Sequence, residues 1–305
     1  MKTAFLFPGQ GSQQPHMLHE LPDGSNARET LTQATEALQI DPLSLDSKDA
    51  LRSTSATQLA LLICGVAHAR ALIGRGIQPE AVAGLSVGAY SAAVAAEVVS
   101  FQDALRLVRL RGEAMEARYT SGYGLAAVVG LDEKTVQQLV AAIHSDKMPI
   151  FVGNINGPRQ IVVAGSNVAL DRLIAEAQST GAHKAEHLKI ATLSHCPLLQ
   201  PVADQLRECI KGIARSEPRF PYVSNVSGHV LRSAKAVLED LADNIAHGVR
   251  WFDATSVLKE LGCDLFIEMP PGHVLTDLAM NNQPNVRSLA VSQYPLSKLM
   301  QIAKS

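Results

Sequence analysis

The chain has 305 residues, 47% of them hydrophobic and 18% charged. A chain of this length and apolar content can bury a substantial core without disulfides or metals, as one large domain or two medium ones. Lys and Arg number 27 against 29 Asp and Glu, a net charge of −2 with no long run of either sign. That balance argues against a nucleic-acid binder, which needs a basic face to displace counterions.

The four cysteines, Cys64, Cys196, Cys209 and Cys263, are far apart. They show neither a Cys-x-x-Cys pair nor zinc-site spacing and read as small buried thiols. The N-terminal apolar run stops at Pro8, too short for a signal peptide. No stretch reads as long enough to cross a bilayer, and the expected location is the cytoplasm.

Short apolar strands alternate with longer amphipathic helices, the pattern of an α/β fold with a mainly parallel sheet. Residues 3–7 read as a buried strand, residues 57–73 as an apolar helix, 81–85 as a short strand, and 88–98 and 102–118 as helices. The rhythm then changes. A strand at 125–130, a helix at 132–144, strands at 150–155 and 160–164, a helix at 167–179 and a strand at 183–190 follow the order β-α-β-β-α-β. That is the ferredoxin-like order. Residues 122–190 therefore read as a small domain inserted into a larger α/β domain formed by 1–121 and 191–305. The alternation resumes with helix 198–214, strand 220–224, helices 233–246 and 252–261, strand 264–268, and a helix after Pro270-Pro271-Gly272.

Gly84-Leu85-Ser86-Val87-Gly88 matches G-x-S-x-G between a strand and a helix. A nucleophile elbow needs this arrangement, because side chains two before and two after the serine would collide in the sharp turn. The Val87 N–H is then the natural oxyanion donor. On this motif alone, a plain βα loop with Ser86 as a helix N-cap is equally compatible. A serine nucleophile needs a base. Most of the histidines have plain explanations: His16, His19, His183 and His229 fall in polar loops or edges and His144 at a helix C-terminus. His195, in Leu193-Ser194-His195-Cys196-Pro197, lies between a strand and a helix, where α/β folds place functional groups. A helix N-terminus there would disfavour imidazolium. A structural loop histidine stays open, and no acid stands out to orient the ring; a backbone carbonyl could do so instead.

Ala104, Val108, Arg111 and Met115 share one helix face, with Arg106 opposite and Arg109 on the flank, both read as solvated. An arginine in an apolar stripe needs an anionic partner. It is either a fork for a substrate carboxylate or half of an internal ion pair with Glu113 or Glu116.

Together these pieces resemble the malonyl-CoA:acyl-carrier-protein transacylase family over nearly the whole chain. The resemblance rests on Phe7-Pro8-Gly9-Gln10-Gly11-Ser12-Gln13, Thr57-Gln58, Gly84 to Gly88, Arg111-Gly112 with Met115, Ser194-His195 with Leu198, Asn225-Val226-Ser227-Gly228, and Pro271-Gly272 with Val274-Leu275. It implies an α/β-hydrolase-like core with a ferredoxin-like insert. It also implies that Ser86 is acylated, that His195 is the base, and that the Gln10 and Val87 amides form the oxyanion hole. Arg111 would bind the free malonyl carboxylate, with Gln58 and Asn225 in support. In that family a backbone carbonyl orients the histidine; the matching stretch Val249-Arg250-Trp251 points to the carbonyl of Arg250, where the family usually has Gln.

The elbow departs from the family's usual Gly-His-Ser-Leu-Gly-Glu at Leu85, Val87 and Ala89. This variant is most similar to the malonyltransferase (epsilon) subunit of malonate decarboxylase. The implied partners are malonyl-CoA, a carrier subunit bearing a phosphopantetheine-type thiol, and the other decarboxylase subunits, with neither nucleic acid nor membrane. No metal, nucleotide or redox cofactor is implied. The alternatives are the transacylase of fatty-acid or polyketide synthesis, with the same chemistry and another carrier, a serine hydrolase or thioesterase, and a non-catalytic subunit that docks a carrier.

Overall fold

The computed structural model describes residues 1–119, 121–189 and 192–304. In chain order it runs β1 (Thr3–Phe7), α1 (Ser25–Leu38), α2 (Thr54–Gly74), β2 (Ala81–Gly84), α3 (Gly88–Ala95) and α4 (Phe101–Arg118). There follow β3 (Tyr123–Val129), α5 (Glu133–Ile143), β4 (Ile150–Gly157), β5 (Gln160–Ser166), α6 (Asn167–Ser179) and β6 (Lys184–His187). The chain ends with α7 (Gln200–Ile210), β7 (Tyr222–Val223), β8 (Val230–Leu231), α8 (Ala234–Asp243), α9 (Trp251–Glu260), β9 (Leu265–Glu268), α10 (Val274–Asn282), β10 (Arg287–Ala290) and α11 (Leu296–Lys304).

Two sheets result. The larger has the order β10-β9-β1-β2-β7-β8, parallel except for the β7–β8 edge. Its central strand β1 is buried at every position, as a parallel strand covered on both faces must be. The smaller has the order β4-β5-β3-β6 and is wholly antiparallel. With α5 and α6 packed on one face, this is the ferredoxin-like arrangement anticipated from the element order. Its other face presents Leu125, Val162 and Ala164 to Leu193 and Cys196, so the segment carrying His195 packs on the small sheet, while His195 N donates to the Ile245 carbonyl just after α8 at 2.8 Å.

Helix α2 starts at the N-cap Ser53, whose hydroxyl accepts from Ala56 N, and is apolar nearly all round. By length and composition it could cross a membrane, contrary to the sequence expectation, yet 83% of its most apolar window is buried inside the protein. Helix α7 is shorter than the sequence implied, because Pro197–Leu199 forms a separate 3-10 turn and the α-helix ends at Ile210. Strand 220–224 shrinks to Tyr222–Val223. Strand 183–190 is seen as Lys184–His187, and Ile190 lies outside the described residues. Cys64, Cys196 and Cys263 are buried, but Cys209 is exposed, since α7 turns Val202, Ala203, Leu206 and Ile210 inward and leaves Cys209 on its solvent face.

Candidate active site

The site lies beyond the carboxyl ends of β1 and β2, where α/β sheets hold their reactive groups. The chain leaves β2 through Leu85 and Ser86 and enters α3 at Gly88, with Ser86 held at φ 57. This left-handed turn accounts for both glycines. A Cβ on Gly84 would lie 2.1 Å from the Gly88 carbonyl carbon and oxygen, and one on Gly88 would lie 2.2 Å from the Phe7 carbonyl oxygen. Ser86 is not an N-cap: Val87 occupies that position, without a side-chain cap. Asn225 clips the turn from the side, its Oδ1 accepting from Ser86 N at 2.9 Å and its Nδ2 donating to Gly84 O at 2.7 Å.

His195 Nε2 is 2.8 Å from Ser86 Oγ, and its Nδ1 is 2.6 Å from the carbonyl oxygen of Asn244. A carbonyl only accepts, so Nδ1 carries the proton and Nε2 of the neutral ring is free to take one. Burial first, and the Arg111 cation second, push the ring pKa down from 6.5 to about 4. Desolvation and a neighbouring charge thus favour the neutral ring. The carbonyl at Nδ1 belongs to Asn244 and not to Arg250. The Arg250 guanidinium is engaged elsewhere, donating from Nε to Asp253 and from NH1 to Glu133, each at 2.6 Å.

Arg111 is 1% exposed. Neither Glu113 nor Glu116 pairs with it: Glu113 is exposed, and Glu116 accepts from Ser53 Oγ and Ser55 N. Its NH1 donates to Gln58 Oε1 at 2.6 Å, and its NH2 donates to Ser86 Oγ at 3.1 Å. Its Nε is buried without a partner. Burial pulls its pKa down to about 10, still cationic at neutral pH. Gln58 Nε2 reaches back to Gln10 Oε1 at 3.4 Å. Arg106 is solvated as expected, while Arg109 is half-buried and donates to Leu38 O.

A cavity of about 210 Å³ opens over these groups, lined among others by Gln10, Gln58, Ser86, Arg111 and His195. Gly9 packs against the elbow, since a Cβ on it would lie 2.7 Å from Leu85 O. Among the described residues, the N–H groups of Gln10 and Val87 have no hydrogen-bond partner.

Residues 4–295 match the acyl transferase domain family. This chain belongs to that family. It is 33% identical over 297 residues to the malonyl CoA-acyl carrier protein transacylase of Staphylococcus aureus, covering 95% of each chain. It superposes on the acyl-carrier-protein S-malonyltransferase of Burkholderia pseudomallei with a TM-score of 0.93 at 35% identity, over 100% of both chains. It matches equally well in outline a malonyl-transacylase solved in complex with a type II PKS acyl-carrier protein, with a TM-score of 0.92 at 32% identity, covering 100% of this chain and 99% of that one.

Four polar supports of this candidate site escaped sequence reasoning. Asp240 is buried under the Asn225 loop, where it accepts from Asn225 N, Val226 N, Tyr222 OH and Ser224 Oγ. Asn244 offers its carbonyl to His195 and reaches the Ser86 carbonyl with Nδ2 at 3.4 Å. Thr54 and Thr192 hydroxyls meet at 2.6 Å and tie α2 to the segment leading to His195. Glu268, fully buried at the end of β9, accepts from Leu275 N and Thr276 N and so aims Leu275 into the cavity. An Asp and a Glu within predicted elements carry no signal of this kind. Only the Asn225-Val226-Ser227-Gly228 motif hinted that its loop mattered.

Proposed function

We propose that this acyltransferase moves malonyl from malonyl-CoA to the phosphopantetheine-type thiol of an acyl carrier protein by a ping-pong reaction. The observation that carries the reading is the buried Arg111 cation, without an acidic partner among the described residues and 3.1 Å from Ser86 Oγ. A buried guanidinium facing a cavity calls for an anionic ligand. An acyl group on Ser86 with a free distal carboxylate supplies one.

In this mechanism Ser86 Oγ attacks the thioester carbonyl as its proton passes to His195 Nε2. The Gln10 and Val87 N–H groups hold the tetrahedral oxyanion, a donor of this kind being worth about 3 kcal/mol. The imidazolium returns its proton to the departing CoA sulfur, leaving a malonyl-serine ester. The carrier thiol then loses its proton to His195 and attacks the ester, and Ser86 recovers its hydrogen. Gln58 holds Arg111, Asn225 holds the elbow, and the Asn244 carbonyl holds His195 in the reactive tautomer.

The S. aureus and B. pseudomallei relatives support a carrier of the acyl-carrier-protein type, and the relative solved with a PKS carrier extends this to polyketide synthesis. They favour fatty-acid or polyketide synthesis over the malonate decarboxylase context expected from the sequence. The Leu85, Val87 and Ala89 variant of the elbow is the observation that keeps the epsilon-subunit reading as a second one. A cytoplasmic location belongs to both readings, as does a division into residues 1–121 with 191–305 and an inserted 122–190.

Intact-mass measurement after mixing with malonyl-CoA tests the proposal. A malonyl adduct on Ser86, discharged by a carrier thiol, is expected. Release of free malonate without dependence on any acceptor would overturn it in favour of a hydrolase. Purified carriers with phosphopantetheine or dephospho-CoA-type prosthetic groups then distinguish the two contexts by which one is malonylated faster.

A further inference from the structure

Apart from the acyl cavity, the loop after β1 brings a second group of chemistry-bearing side chains together. His16 N donates to the Asp46 carbonyl at 3.0 Å, and His19 N donates to the His16 carbonyl at 2.9 Å. Asp46 ends the 3-10 helix Pro42–Asp46 and is completely buried. Its Oδ2 accepts from Leu18 N at 2.7 Å and lies 3.2 Å from His19 Nδ1. Its Oδ1 is buried and has no partner. The two imidazole rings stand edge to face with centroids 5.4 Å apart. One donor atom from each of the three side chains lies within 4.8 Å of the other two.

We propose that His16, His19 and Asp46 form a site for a divalent transition cation of the zinc class. Two imidazoles and a carboxylate are a borderline-soft donor set that suits zinc better than calcium or magnesium. Zinc bonds of this kind place neighbouring tetrahedral donors about 3.3 Å apart. The separation of 3.2 Å between His19 Nδ1 and Asp46 Oδ2 already meets that spacing. A simple histidine–carboxyl hydrogen bond would account for Oδ2 alone. It would leave the buried Oδ1 unsatisfied, a costly state that a cation gripped by both carboxylate oxygens would relieve. Both imidazoles are exposed, so the ion has a path from solvent and water can complete its coordination. The cation acts structurally: it fastens the 16–19 turn to the 3-10 helix, downstream of Ser12, which lines the acyl cavity.

Titration of the metal-stripped full chain with Zn²⁺ by calorimetry, paired with thermal melting, tests this. The wild type is expected to bind one Zn²⁺ tightly and to melt higher in its presence, as any ligand of the native state requires. The double variant His16→Ala/His19→Ala changes only exposed side chains, so it is expected to fold. Its Zn²⁺ affinity should fall by roughly a hundredfold and its melting shift should vanish. Cys209→Ser, which removes the exposed thiol, should bind like the wild type. The inference is overturned if the wild type takes up no Zn²⁺, if the double variant binds as the wild type does, or if Cys209→Ser is the change that abolishes binding.

Discussion

Ser86, His195 and Arg111 occupy three separate stretches of chain, yet one hydroxyl touches both other side chains, at 2.8 Å and 3.1 Å. That geometry makes the single-residue expectations sharp. Ser86→Ala should abolish the malonyl adduct in intact-mass spectra and lower turnover by a factor of about 10⁴ or more, since in the proposed mechanism removing the nucleophile leaves only binding and the oxyanion donors. Arg111→Ala should erase the preference for malonyl-CoA over acetyl-CoA. A group left unpaired against a buried charge costs about 3 kcal/mol, so the ratio of kcat/KM values should fall roughly a hundredfold. A variant that still discriminated would return Arg111 to a purely structural role. The depressed pKa of His195 places the acid limb of kcat/KM near pH 4 rather than at the ordinary histidine value of 6.5. His68, buried in α2, is likewise lowered to about 4. Both rings bind protons more weakly folded than unfolded, so their contribution to stability is fully present above pH 6.5 and is lost as pH falls toward 4. Urea midpoints measured across that window should decline as acid is added.

At the scale of elements, the elbow and its clip depend on close backbone approach. Gly88→Ala should lower the unfolding free energy measured by urea titration by about 3 kcal/mol, because the new Cβ would meet the Phe7 carbonyl oxygen at 2.2 Å with only backbone to move. Asp240 joins α8 to the Asn225 loop through four donors. Asp240→Ala strands those buried donors and should cost about 3 kcal/mol or more, seen in the same experiment. Elements with strong apolar signals were legible. Strand β1 and helix α6 have the ends read from the sequence, and most other elements were placed with shifted boundaries. Helix α1 was missed because its buried face is Ala27, Thr30, Ala34 and Leu38, too small and polar to stand out as an apolar stripe. Strands β8 and β10 are short edge strands, whose pairing depends on neighbours distant in sequence.

Across the whole molecule, the small sheet packs on the segment carrying His195 through Leu193 and Cys196, and Arg250, just before α9, pairs with Glu133 of α5 and Asp253 of α9. This contact looks important in outline. Both its ends are about a third exposed, so solvent screening leaves it worth little. Glu133→Ala should change stability by less than about 1 kcal/mol in chemical denaturation.

Motif chemistry was readable before any coordinates. A tight turn flanked by glycines, an arginine set in an apolar stripe and a histidine after a strand are consequences of sterics and desolvation that act over a few residues. The alternation of strands and helices, with its ferredoxin-like interruption, follows from local periodicity in the same way. What only the tertiary structure decided was which group fills each unsatisfied position. Asn244 rather than Arg250 offers the carbonyl to His195, Gln58 rather than an acid meets Arg111, and Asp240 supports the Asn225 loop from beneath. Hydrogen bonds between residues far apart in the chain depend on where the backbone passes in space, and nothing in the local pattern of residues encodes that position.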